Sequence, residues 1–101
     1  MTHAKLTDGS RYGSDRQTWE VTIDQRSWEA AAAAACDMRA PCPLPGYETR
    51  LAIIKPRNRP GKGGRRCQLV LRFRLHNLQK RIDSRDAVEE LCEPWEHFDS
   101  Q

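Results

Sequence analysis

The run Arg66-Cys67-Gln68-Leu69-Val70-Leu71-Arg72-Phe73-Arg74-Leu75-His76 decides how this chain folds. Cys67, Leu69, Leu71, Phe73 and Leu75 recur at every second residue, and Arg66, Gln68, Val70, Arg72, Arg74 and His76 stand between them. A strand turns successive side chains to opposite faces, so the alternation predicts a strand with an apolar face on a core and a basic face toward water.

Upstream, Pro56 to Arg65 holds Pro60, Gly61, Gly63 and Gly64 and reads as a turn, preceded by a second strand at Tyr47 to Lys55. Two strands joined by a Gly/Pro-rich connection predict an antiparallel hairpin. Pro41, Pro43 and Pro45 make Ala40 to Gly46 a stiff extended connector, because each fixes its own φ and disfavours helix in the residue before it. Thr18 to Asp24 alternates as well, with Trp19, Val21 and Ile23 inward and Glu20, Thr22 and Asp24 outward. Between these strands Ser27 is a suitable N-cap for a helix from Trp28 to Met38 containing six consecutive alanines. Trp28 and Met38 are its expected large contacts.

Downstream, Asp83 or Ser84 caps a second helix on which Val88, Leu91, Cys92 and Trp95 form an apolar stripe, and Pro94 bends or ends it near Glu93. The order β-α-β-β-α predicts an α+β two-layer sandwich. It consists of an antiparallel or mixed three-stranded sheet with both helices on one face. Residues 1–17, rich in Ser, Thr, Gly, Asp and Arg, read as a mobile N-terminal arm, and residues 18–101 as a single domain.

A chain of 101 residues has room for one core. No apolar run approaches a membrane span of about 18 residues, and the first residues lack the apolar stretch of a secretory signal. A cytoplasmic protein is therefore expected, in which Cys36, Cys42, Cys67 and Cys92 stay reduced.

The formal net charge of +3 conceals a strong asymmetry. Residues 1–40 carry 5 bases and 6 acids, residues 41–82 carry 11 bases and 1 acid, and residues 83–101 carry 1 base and 7 acids. The candidate binding residues are Arg50, Lys55, Arg57, Arg59, Lys62, Arg65, Arg66, Arg72 and Arg74. Long cationic side chains beside a glycine-rich backbone can reach several phosphates of a nucleic acid. Base-specific reading is not expected, since the outward positions of the hairpin offer no aromatic for stacking.

The leading expectation is a small, non-catalytic module that contacts the nucleic-acid backbone. A protein-binding regulator of the phage-inhibitor or accessory-subunit type is the alternative, docking on a nucleic-acid-handling complex and offering Asp86, Glu89, Glu90, Glu93 and Glu96 as its partner face. A ribonuclease-like toxin with His76 as general base is the third. No membrane or small-molecule partner is expected.

Other chemistry has little support. Cys36 and Cys42 show a C-x5-C spacing and Cys92 and His97 a C-x4-H spacing, neither of them the tight knuckle of a structural zinc site, so no metal and no cofactor is expected. Pro60-Gly61-Lys62-Gly63-Gly64 lacks the frame of a phosphate loop and leads into a strand where that motif needs a helix.

Overall fold

The computed structural model describes residues 2–7, 17–37, 42–57 and 66–97. In chain order the elements are β1 (Thr2–Thr7), β2 (Thr18–Gln25), α1 (Trp28–Asp37), β3 (Tyr47–Arg57), β4 (Arg66–Leu75) and α2 (Arg85–Cys92). Short 3-10 turns follow β4 at Leu78–Lys80 and α2 at Glu93–His97. The strands form one sheet in the order β1-β2-β4-β3, antiparallel at every junction. β4, the strand of the alternating run, lies between β2 and β3.

The sheet has four strands where the sequence predicts three. The additional one, β1, falls within residues 1–17, which the sequence assigns to a peripheral arm; residues 8–16 lie outside the described residues. Ala4 and Leu6 are its only apolar groups, too few to advertise a strand. The strand is held by pairing with β2, Ala4 opposite Val21 and Leu6 opposite Trp19. The Ala4 N–H donates to Glu89 Oε1 of α2 at 3.2 Å, which occupies a backbone donor of this edge strand.

One face of the sheet forms the core. Trp19, Val21 and Ile23 of β2 and Leu69, Leu71, Phe73 and Leu75 of β4 join Ala34 of α1 and Val88 and Cys92 of α2 in one buried cluster, so both helices cover the same face. Ser27 Oγ accepts the Ala30 N–H at 3.1 Å and Ser84 Oγ accepts the Ala87 N–H at 3.3 Å, each capping its helix. In α1 the buried side chains are Ala30, Ala31 and Ala34, which allow the helix to lie close to the sheet. Trp28 is not the contact the sequence suggests: it is 51% exposed, because it lies well round the helix from the buried alanines. Met38 falls outside the described residues.

The apolar stripe of α2 is narrower than expected. Val88 and Cys92, four residues apart, are fully buried, whereas Leu91 is 39% exposed. The eight-residue helix contacts chiefly the outer strand β1, so only the i, i+4 seam meets the core. Pro94 follows directly on the helix end, and the next turn returns Trp95 to the core with its ring centroid 6.1 Å from that of Phe73.

At the end of the sheet where β2 begins, a buried polar cluster ties the chain after β4 to the strands. The Tyr47 hydroxyl donates to Gln17 Oε1 and accepts the Ile82 N–H at 3.1 Å. Gln17 Nε2 donates to Asp83 Oδ1, and Trp19 Nε1 donates to the Ile82 carbonyl at 3.0 Å. Gly46 supports the same corner: its carbonyl accepts the His76 and Asn77 N–H groups, and its φ is +77°. A Cβ there would lie 2.2 Å from Lys80 Cβ, so the position requires glycine for conformation and for space.

Candidate polyanion interface

The helices leave the other face of the sheet uncovered, and a bulge determines which side chains reach it. Thr49 lies opposite Phe73 and Leu51 opposite Arg72, so consecutive residues of β4 face residues two apart in β3, and Arg50 is the additional one. Strand periodicity is two, so one inserted residue exchanges the faces of everything beyond it. Tyr47 and Thr49 lie on the core side, while Leu51, Ile53 and Lys55 lie on the uncovered side opposite Arg72, Val70 and Gln68. Without the bulge Lys55 would share a face with Leu69. With it, Lys55 joins Arg66, and Arg57 is in register with Arg66 at the hairpin end.

The bases predicted from sequence fall into two groups. Arg72 Nη2 donates to Glu20 Oε2 at 3.1 Å, Arg50 Nη1 donates to Glu48 Oε1 at 3.4 Å, and Arg74 lies between Thr18 and Glu48 in register. These three have acids as neighbours. Lys55 and Arg66 form the other group, both exposed at the hairpin end, where Asp24 accepts a hydrogen bond from Gln68 Nε2 at 3.4 Å. The side chain of Arg57, and Arg59, Lys62 and Arg65 altogether, lie outside the described residues. Six residues of strand separate Arg66 from Arg72, about 20 Å at 3.4 Å per residue. That exceeds the screening length of about 8 Å at physiological salt, so the two groups act as electrically separate patches.

Sequence reasoning missed several contributors to this face. His3 and Lys5 of β1 are exposed on it, opposite Thr22 and Glu20, and the period-two spacing of residues 3 and 5 was their only signal. The register draws Glu48 beside Arg74, which no local pattern reveals, while Arg50 is its neighbour two residues on along β3. Val70, the apolar member of the outward series, is 7% exposed although neither α1 nor α2 lies above it, and Ile53 opposite it is 38% exposed.

The acidic residues divide as well. Asp86, Glu90 and Glu93 are exposed on the helical side, as is Leu91 on another flank of α2. Glu89 is half-buried, engaged with Ala4, and 3.9 Å from Arg85, so it serves the fold; the side chain of Glu96 lies outside the described residues.

Of the cysteines, Cys36 is exposed on α1, Cys42 is half-buried, and Cys67 and Cys92 are buried; all four are free thiols. Burial, and secondarily the charge that Cys42 would carry, pushes the Cys92 thiol up to about 12, which makes it unreactive at neutral pH. Among the described residues no group of three His, Cys, Asp or Glu side chains is placed to hold a metal ion. His76 stands exposed after β4. Among the described residues no helix is long and apolar enough to cross a membrane.

No protein-family model, no curated protein and no solved structure matches this chain.

Proposed function

We propose that this chain is a small non-catalytic binding module that contacts nucleic acid through its phosphate backbone, using the hairpin end of the uncovered sheet face. The observation that carries the reading is the bulge-set register, which aligns Lys55 and Arg57 of β3 with Arg66 of β4 at the two roots of one connection. Residues 55–66 hold six bases and no acid. Such clustering supplies the sequence-independent, salt-sensitive part of nucleic-acid affinity. Among the described residues the uncovered face presents no Phe, Tyr or Trp, in keeping with little reading of unstacked bases. Such a module acts in the cytoplasm, where its four thiols stay reduced.

The test is fluorescence anisotropy with labelled duplex and single strands of arbitrary sequence. At low salt both bind, binding weakens steeply as salt is added, and glutamine at Lys55, Arg57, Arg59, Lys62, Arg65 and Arg66 together abolishes it. A folded protein that shows no association at 20 mM salt would end this reading.

One observation favours a second reading, a regulator that docks on a nucleic-acid-handling protein complex. Leu91, 39% exposed, is an uncovered apolar side chain on α2, whose exposed residues also include the acids Asp86 and Glu90. Capture from the native cell with and without nuclease separates the two. A partner retained after nuclease and lost on Leu91→Arg supports docking.

A further inference from the structure

The uncovered face of the sheet carries its charges in columns. The outward positions of β2 are Thr18, Glu20, Thr22 and Asp24, two acids and no base. The adjacent outward positions of β4 are Arg66, Gln68, Val70, Arg72 and Arg74, three bases and no acid. Donor faces acceptor along the rows, with Arg72 on Glu20 at 3.1 Å and Gln68 on Asp24 at 3.4 Å. Among the described residues the face is therefore a row of lateral dipoles, with Val70, 7% exposed, near its centre and neither α1 nor α2 above it.

Such a surface is complementary to its own copy in one arrangement. A two-fold axis parallel to the strands, between β2 and β4, lays the acidic column of each copy on the basic column of the other. Glu20 then meets Arg72 of the second copy and Arg72 meets its Glu20, while Thr22 and Val70 exchange partners at the centre. A two-fold perpendicular to the strands would stack β4 on β4, base on base. We infer that the uncovered sheet face docks a second copy of this chain, face to face about an axis parallel to the strands, through reciprocal Glu20–Arg72 contacts.

Sheets that stack face to face do so about 10 Å apart with strands roughly 30° from parallel, so the central rows stay matched while the outer rows diverge. Four strands span about 19 Å and four rows about 25 Å, a footprint of roughly 500 Å² on each copy. This is below the roughly 800 Å² per partner of a standard stable complex, so the association is weak and concentration-dependent. The axis also has a directional consequence. Rotation about a line parallel to the strands preserves their direction, so both hairpins leave the dimer at the same end.

Sedimentation of the full chain from 5 µM to 500 µM tests the inference, with circular dichroism confirming that each variant is folded. Wild type shifts from monomer toward dimer across this range. Glu20→Arg and Arg72→Glu each place like charges together twice and weaken association at least tenfold. Mixing the two variants restores it, because the first presents bases at both positions and the second acids at both. A wild type monomeric throughout overturns the inference. So does a dimer indifferent to Glu20→Arg, since it uses another surface, or a mixture of folded variants that fails to pair.

Discussion

Cys92 shows how a buried side chain couples stability to pH. Its thiol lies fully buried between α2 and the sheet and is held near 12, against 9.0 for a free thiol, first by burial and then by the charge of Cys42. Cys42 and Tyr47 shift in the same direction, both chiefly through burial. Each group keeps its proton in the folded chain at a pH where the unfolded chain has released it. The native state then binds more protons than the unfolded state, so stability falls as pH rises. The contribution is fully present below pH 9 and is lost as pH climbs from about 9 toward 12, the interval between the unfolded and folded values. Melting temperatures measured from pH 7 to 11 should decline over the upper half of that range. Cys92→Ala should melt lower at pH 7, since deleting a buried group leaves a cavity, yet decline less steeply. Parallel declines in the two proteins would show that Cys92 is not a source of the alkaline loss.

β1 and α2 hold each other in place, and their coupling is measurable. The Glu89 carboxylate accepts the Ala4 N–H from a partly buried position, and a charged acceptor contributes more than a neutral one. Glu89→Ala should cost about 1.5 to 3 kcal/mol, the range for a hydrogen bond to a charged group, and should speed hydrogen exchange at Ala4 more than at Leu71 in the central strand. Equal exchange at both amides would mean that β1 unfolds only with the whole sheet. This element also marks where sequence reasoning stops. β2, β4, both helices and the Ser27 cap are legible because local periodicity and capping chemistry encode them, whereas the sequence leaves the α2 cap between Asp83 and Ser84 and the structure assigns it to Ser84. β1 is not legible, because Ala4 and Leu6 give too little apolar contrast, its pairing with β2 leaves no local trace, and its anchor on α2, Glu89, lies 85 residues away. The bulge at Arg50 is equally silent in sequence, since a single extra residue leaves no compositional trace. The basic segment was readable as charge, but its division into Arg72 and Arg74, set beside Glu20 and Glu48, and the hairpin-end bases Lys55 and Arg66 depends on the register across strands.

At the scale of the molecule, that division turns a net charge of +3 into a directional one. The acids of α2 lie on the helical side, and away from the hairpin end the sheet-face arginines Arg50, Arg72 and Arg74 have Glu48 and Glu20 beside them. The excess of positive charge is left at the hairpin end. If phosphate contact occurs there, bases should contribute unequally even though the sequence gives them equal standing. Each phosphate neutralised on duplex DNA releases about 0.9 counterion, so the slope of log K against log salt counts the contacts. Replacing Lys55 and Arg66 by glutamine should lower that slope by about 1.8 and weaken binding at every salt concentration. Replacing Arg50 and Arg72 removes the same formal charge but also frees Glu48 and Glu20 from their pairs. A base already partnered by a carboxylate releases few counterions from DNA, so this pair should change the slope by less than half a unit. Exposed ion pairs add only about 0.2 to 1 kcal/mol to stability, so both double variants should remain folded for the comparison. Titration of wild type and both variants against one duplex between 20 and 200 mM salt provides the measurement. Equal slopes for the two variants would mean that the whole sheet face meets the polyanion, and a larger loss from Arg50 and Arg72 would move the contact to the middle of the sheet.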